Sequence, residues 1–386
     1  MSASGKVLSA CSRLMAGGGG KGGQGGDGGQ GSGGGGGGGA QPPPLTALNL
    51  RGARAGSLDV AVLCEALKAD AARSLTRLDL RDNRVGAEAA RALGEALKAN
   101  GSLRELLLSR NPIGAAGCGL LAGGLRGNRA LATLSLCGCA IDALGAGPLA
   151  DALASNRALT ALDLRGNAGL GSDGLGLLAD GLLMNDASAL ASLNLWGVGA
   201  GTQGAALVAQ VLKRGGGGGQ GGGEGGGSAG RGCALTELDL GDNGIGAEGA
   251  APLADALTGN GSLRSLGLWG NALGGPCVGM LAESLKSNRC LTELDLGDNG
   301  MGAAGAAVLA DALMCNAVLG TLKLGGNRVG AEGARLLALA LRSQRHSGSA
   351  LTCLDLEENG VGTEGAVALA DALRSDHSVL TQVFIY

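Results

Sequence analysis

A phrase of the form Leu-x-x-Leu-x-Leu recurs along this chain at near-constant spacing, and no other feature restricts its fold so tightly. It begins at Leu45, Leu75, Leu103, Leu131, Leu159, Leu190, Leu235, Leu263, Leu291, Leu319 and Leu351, and a degenerate twelfth copy, LTQVFIY, starts at Leu380. Six of the eleven full units are 28 residues long. A fixed period of this length marks a repeat architecture, each unit being one supersecondary element stacked on the next.

The clearest unit, LTELDLGDNGIGAEGAAPLADALTGNGS, starts at Leu235. Leu235, Leu238 and Leu240 alternate with polar residues, which predicts a short strand with one face inward. Asn243 has equivalents at Asn83, Asn111, Asn167, Asn271, Asn299, Asn327 and Asn359. A buried Asn there is expected to hydrogen-bond the backbone of the turn, and stacked copies form a ladder. Gly246 and Gly249 are read as the tight turn into a helix. Leu253 and Leu257, four apart, are the inward face of that helix. One unit buries too few aliphatic side chains to offset the entropy of ordering its own backbone, so stacking is obligatory. The expected fold class is α/β: a solenoid with a parallel sheet on its concave side and helices on its convex side.

Composition fits thin repeated layers rather than a thick core. The chain is 45% apolar, yet has 80 glycines and only four aromatic residues among 386. A net charge of −3 gives no global basic footprint for nucleic acid. No apolar run reaches the length of a membrane span. The ten cysteines form no CxxC pair, and only His346 and His377 could join them, so neither a metal framework nor a cofactor site is expected. With no secretory h-region, free thiols in the cytoplasm are the expectation, and the Asn-Gly-Ser sequons at Asn100 and Asn260 are then incidental.

Residues 1–44 divide from the repeats of 45–386. The segment is read as a disordered Gly-rich tail, with an organelle transit peptide as the alternative for its basic, acid-free start around Lys6 and Arg13. A second Gly-rich stretch, about 214–232, lengthens the sixth unit to 45 residues. It is read as a tolerated loop insertion at the helix-to-strand edge.

The full pattern, LxxLxLxxNxxGxxGxxxLxxxL, resembles the ribonuclease-inhibitor type of leucine-rich repeat. That resemblance spans 45–386 and implies an α/β horseshoe. The subfamily includes ribonuclease inhibitors, sensor regions of nucleotide-binding immune receptors and Ran GTPase-activating proteins. Ala53, Cys139 and Val198 depart from its Asn, although Cys is an accepted substitute in the family. A non-catalytic protein-interaction scaffold is the function implied first. A GTPase activator is the alternative, although the acidic tail of that branch does not follow the repeats. A sensor region is the other, although no nucleotide-binding motif precedes them.

Side chains at the third, fifth and seventh positions of each unit are expected to point onto the concave sheet. All four aromatics, Trp196, Trp269, Phe384 and Tyr386, fall in the fifth and seventh columns. The tryptophans are read as binding hot spots, or as covers for small neighbours such as Gly241 and Gly267. Phe384 and Tyr386 are counted in the same candidate binding face, or close the last edge. Units one to three (45–130) carry 13 basic and 8 acidic residues, whereas units seven to eleven (235–379) carry 9 and 17. The outward columns of the later half hold Glu237, Asp239, Glu293, Asp295, Asp355 and Glu357. These acids either steer a partner protein with a basic surface or only solvate the sheet. They are expected on a flat surface, and no catalytic constellation is indicated.

Overall fold

The computed structural model describes residues 3–16, 44–69, 73–214, 235–343, 350–374 and 379–385. Within them strand and helix alternate through the repeats. Twelve three-residue strands, from β1 (Ala47–Asn49) to β12 (Gln382–Phe384), form one parallel sheet in simple sequence order. The helices between them run from α2 (Ser57–Lys68) to α12 (Gly362–Leu373). A helix with its side chains is about 10 Å across, roughly twice the spacing of adjacent strands, so the stack bends with the sheet on the inner side.

The core is a continuous wall of Leu between sheet and helices. In α8 (Gly246–Gly259), Leu253 and Leu257 are buried, as the four-residue spacing predicts. The Asn ladder is present. Asn271 Nδ2 donates to the carbonyls of Leu240 (2.9 Å) and Leu268 (3.0 Å), and its Oδ1 accepts from the amides of Asn243 (3.0 Å) and Ile245 (3.3 Å). Cys139 fills the same place chemically, its thiol donating to Leu108 O at 3.3 Å. Val198 has no polar side chain to donate, although its own amide still reaches Asn243 Oδ1 at 3.0 Å.

A second ladder escaped the sequence reading. Asn100, Asn128, Asn156, Asn185, Asn260, Asn288 and Asn316 are all buried where a helix ends. Asn288 is representative: Nδ2 donates to Leu257 O at 2.7 Å, and Oδ1 accepts from Leu291 N at 2.8 Å. The ladder ties the ends of these seven helices to the repeat before and to the chain leading into the next strand. Both sequon asparagines, Asn100 and Asn260, are rungs of it.

Two expectations are corrected here. Gly246 does turn the chain, with φ +63, but Gly249 does not. A Cβ at Gly249 would lie 2.5 Å from Ile245 Cγ2 and 3.1 Å from Thr202 Cα, so this glycine lets neighbouring helices approach. The N-terminal segment is also not structureless throughout. Residues Ala3–Ala16 form a helix, α1, which packs against α2 and buries Val7, Cys11 and Leu14. The remainder of the Gly-rich tail, the insertion beyond Arg214, His346, His377 and Tyr386 lie outside the described residues. Among the described residues, no helix is long and apolar enough to cross a membrane.

Candidate functional site

The strand register aligns the outward columns across the sheet. In the fifth column Asn194, Asp239, Gly267, Asp295, Lys323, Asp355 and Phe384 are successive partners on β6 (Ser192–Asn194), β7 (Glu237–Asp239), β8 (Ser265–Gly267), β9 (Glu293–Asp295), β10 (Thr321–Lys323), β11 (Cys353–Asp355) and β12. The leucine at the centre of each of β6 to β11 is buried beneath them.

The fifth-column acids have a local structural task. Oδ1 of Asp239, Asp295 and Asp355 accepts from the amide two residues on, at 3.0, 2.9 and 2.9 Å. Asn49, Asp79, Asp163 and Asn194 do the same in the earlier repeats. This bond closes the end of each strand, which explains why Asx residues fill the column. It uses one oxygen and leaves the other for a second partner: Asp79 Oδ2 accepts from Arg81 at 2.6 Å and Asp163 Oδ2 from Ser135 Oγ at 2.9 Å. Asp239 Oδ2 takes a bond from Asn194 Nδ2 at 3.2 Å.

Trp196 and Trp269 meet. Their ring centroids are 5.1 Å apart and their planes 19° from parallel, an offset-stacked pair. Each indole also lies over a glycine of the next repeat. A Cβ at Gly241 would be 2.3 Å from Trp196 Cε3, and one at Gly297 would be 2.5 Å from Trp269 Cδ1. The covering expected of the tryptophans is therefore real at Gly241 but not at Gly267, where a Cβ would meet Asp239 Oδ1 at 2.7 Å. Covering does not hide the rings: Trp269 keeps 36% of its surface exposed.

The acids are not on a flat surface as expected. They border two depressions of about 370 and 300 Å³. The first gathers Trp196, Glu237, Asp239, Glu293 and Asp295 around Gly267. The second gathers Trp269, Asp295, Asp355 and Glu357 around Gly325. Lys323, which the sequence reading left unassigned, stands in the wall common to both and binds Glu293 at 2.6 Å. Burial pushes the Asp295 carboxyl above the ordinary aspartate value, and the charges of Asp239 and Asp355 add to the rise against the Gly297 amide and Lys323. The Lys323 ammonium is held above its usual value, first by its bond to Glu293. Phe384 is exposed on β12 beside Asp355 and borders neither depression.

Lys323 had a signal in the sequence, as the one basic residue in the outward columns of the later units. The indole seats had one too: each Trp is followed by Gly at the same position of the next unit.

A family model described as Leucine Rich repeat matches residues 71–94, 155–179, 233–254, 287–310, 315–338 and 350–370. The chain carries leucine-rich repeats. Its single parallel sheet with alternating helices is a leucine-rich-repeat solenoid. Solved structures similar to it include the Leiomodin-1 Actin-Binding Site 2, at 22% identity and a TM-score of 0.31, covering 36% of this chain and 81% of that one. The TLR13–ssRNA13 complex matches at 18% identity and a TM-score of 0.46, covering 82% of this chain and 40% of that one. An internalin (inlF) from Listeria monocytogenes matches at 16% identity and a TM-score of 0.42, covering 88% and 86%. No curated protein matches the sequence.

Proposed function

We propose that this leucine-rich-repeat protein is a non-catalytic interaction scaffold that binds a partner protein with a basic surface on the inner face of its sheet. The observation that carries the reading is the stacked Trp196–Trp269 pair, half-buried at Trp196 and exposed at Trp269, beside acid-lined depressions in a chain with only four aromatics. Large aromatics on a rigid sheet present contact area with little entropy left to lose, which is the profile of a hot spot. Glu237, Asp239, Glu293, Asp295, Asp355 and Glu357 would select the sign of the partner's charge. We place this activity in the reducing cytoplasm, because Cys64, Cys118 and Cys139 are buried as free thiols.

The test is the double variant Trp196→Ala/Trp269→Ala, compared with wild type by affinity capture from cell extract and quantitative mass spectrometry. Both indoles lie above the sheet rather than in the leucine core, so the fold should survive, as a thermal melt would verify. Binding of the captured partner should weaken by at least about 2 kcal/mol, roughly 30-fold in Kd. Equal capture by a folded double variant would refute the proposal.

A further inference from the structure

The inner face has a finer grain than its charge. Across units seven to eleven its outward columns present six carboxylates and one ammonium, Lys323. That ammonium is committed to Glu293 at 2.6 Å. Asp295 and Asp355 each give one oxygen to a strand-closing amide, and among the described residues the other oxygen has no protein donor. The cations this surface lacks must come from outside, and the shape of the two depressions narrows which cation.

Each depression has an indole on its border, carboxylates around it and a glycine, Gly267 or Gly325, among its lining residues. An indole face attracts a cation, and a planar guanidinium can stack on it while its fork of donors bonds a carboxylate. An ammonium offers no plane to stack and is more strongly hydrated, so it loses more on leaving water. Gly267 lies on β8 and Gly325 just beyond β10, two strands over and two residues further along. Strand geometry puts them roughly 12 Å apart. Two residues one helical turn apart have Cβ atoms about 5–6 Å from each other, and arginine side chains are long enough to splay from there into both depressions.

Resting on the interaction-face reading above, we propose that the partner is recognised through a pair of arginines one helical turn apart, one guanidinium entering the depression beside Trp196 and the other that beside Trp269. Asp295 and Lys323, shared by both, couple the two sites: a guanidinium in either takes up part of the charge of Asp295.

The chain supplies its own reporter, because Trp196 and Trp269 are its only tryptophans. The full protein is titrated with a blocked, alanine-based helical peptide bearing two arginines four residues apart, with its two-lysine twin and with its single-arginine version. Tryptophan emission and calorimetry are both read. The two-arginine peptide should give saturable binding, at least tenfold tighter than either control. Gly325→Val should reduce it to the single-arginine level. Gly325 has ordinary φ, and the nearest atom to an added Cβ is 3.6 Å away, so the valine fills the depression without straining the backbone. Asp295→Asn, which keeps the strand-closing acceptor, should weaken both sites. Equal binding of the lysine twin, absence of saturable binding, or an unaffected Gly325→Val would each overturn the proposal. A cellular partner lost with the double Trp variant, alongside an inert two-arginine peptide, would remove the arginine reading and leave the interaction face standing.

Discussion

At the residue scale, the rungs of the two Asn ladders show how a short side chain can hold a repeat together. Asn271 satisfies two carbonyls and two amides that lie under the turn, away from water. Removing it leaves buried backbone groups unpaired, at about 1–3 kcal/mol for each group that finds no substitute. We expect Asn271→Ala to cost about 2–4 kcal/mol in urea unfolding, and Asn271→Cys distinctly less. Cys139 is the reason for the difference, since its thiol already donates to Leu108 O in the equivalent place. Equal losses for the two variants would show that the stabilisation is not the donated bond. The first ladder was legible because its Asn recurs at a fixed place after the strand. The second was equally periodic, but it falls where helix meets loop, and there polar residues draw no attention. The indole seats were half legible. A column names which residues are neighbours, but only side-chain torsions decide that Trp269 leans onto Gly297 rather than Gly267.

At the scale of elements, the two ends of the stack differ. In the first repeat Leu67 is buried, whereas its counterpart at the other end, Leu373 on α12, is 42% exposed. The difference is α1, which supplies Val7, Cys11 and Leu14 to the first end as a neighbouring repeat would. The sequence concealed this helix for a physical reason. Its apolar residues sit at i, i+4 and i+7 among Ser and Gly, and a glycine-rich run parts them from the surface that gives them meaning. In a solenoid, stability passes mainly between nearest neighbours, so loss of the cap should be felt locally. Val7→Asp combined with Leu14→Asp would place unpaired charge on that contact. Hydrogen exchange should then quicken at the amides of α2, by about tenfold or more for each 1.4 kcal/mol of lost protection. The amides of α8 should be unchanged. Unaltered exchange in α2 would mean that α1 does not cap the stack.

At the scale of the whole molecule, charge is polarised along the solenoid, and acid acts in opposite senses on one carboxyl from each half. Asp79, in the basic half, is buried, which raises its carboxyl, but the bonds from Arg81 outweigh that and hold it below 3.8 overall. Its stabilisation is present above 3.8 and is lost only as pH falls through the lower folded value. Asp295, in the acidic half, is raised above 3.8, first by burial. Its ionised form is a burden on the fold, so falling pH relieves strain there between its raised folded value and 3.8. A bound cation, by contrast, needs Asp295 ionised. Acidification should therefore release a basic partner while Asp79–Arg81 still holds and the fold is intact. Partner capture measured beside melting temperature should show affinity falling at a higher pH than stability does. Asp295→Asn should bind weakly at neutral pH and lose that step. Added salt should weaken wild-type binding throughout, since the face attracts its partner over distances that ions screen at about 8 Å. If binding and melting fell together, or if Asp295→Asn kept the same pH step, the acids of the inner face would be strand closures and no more.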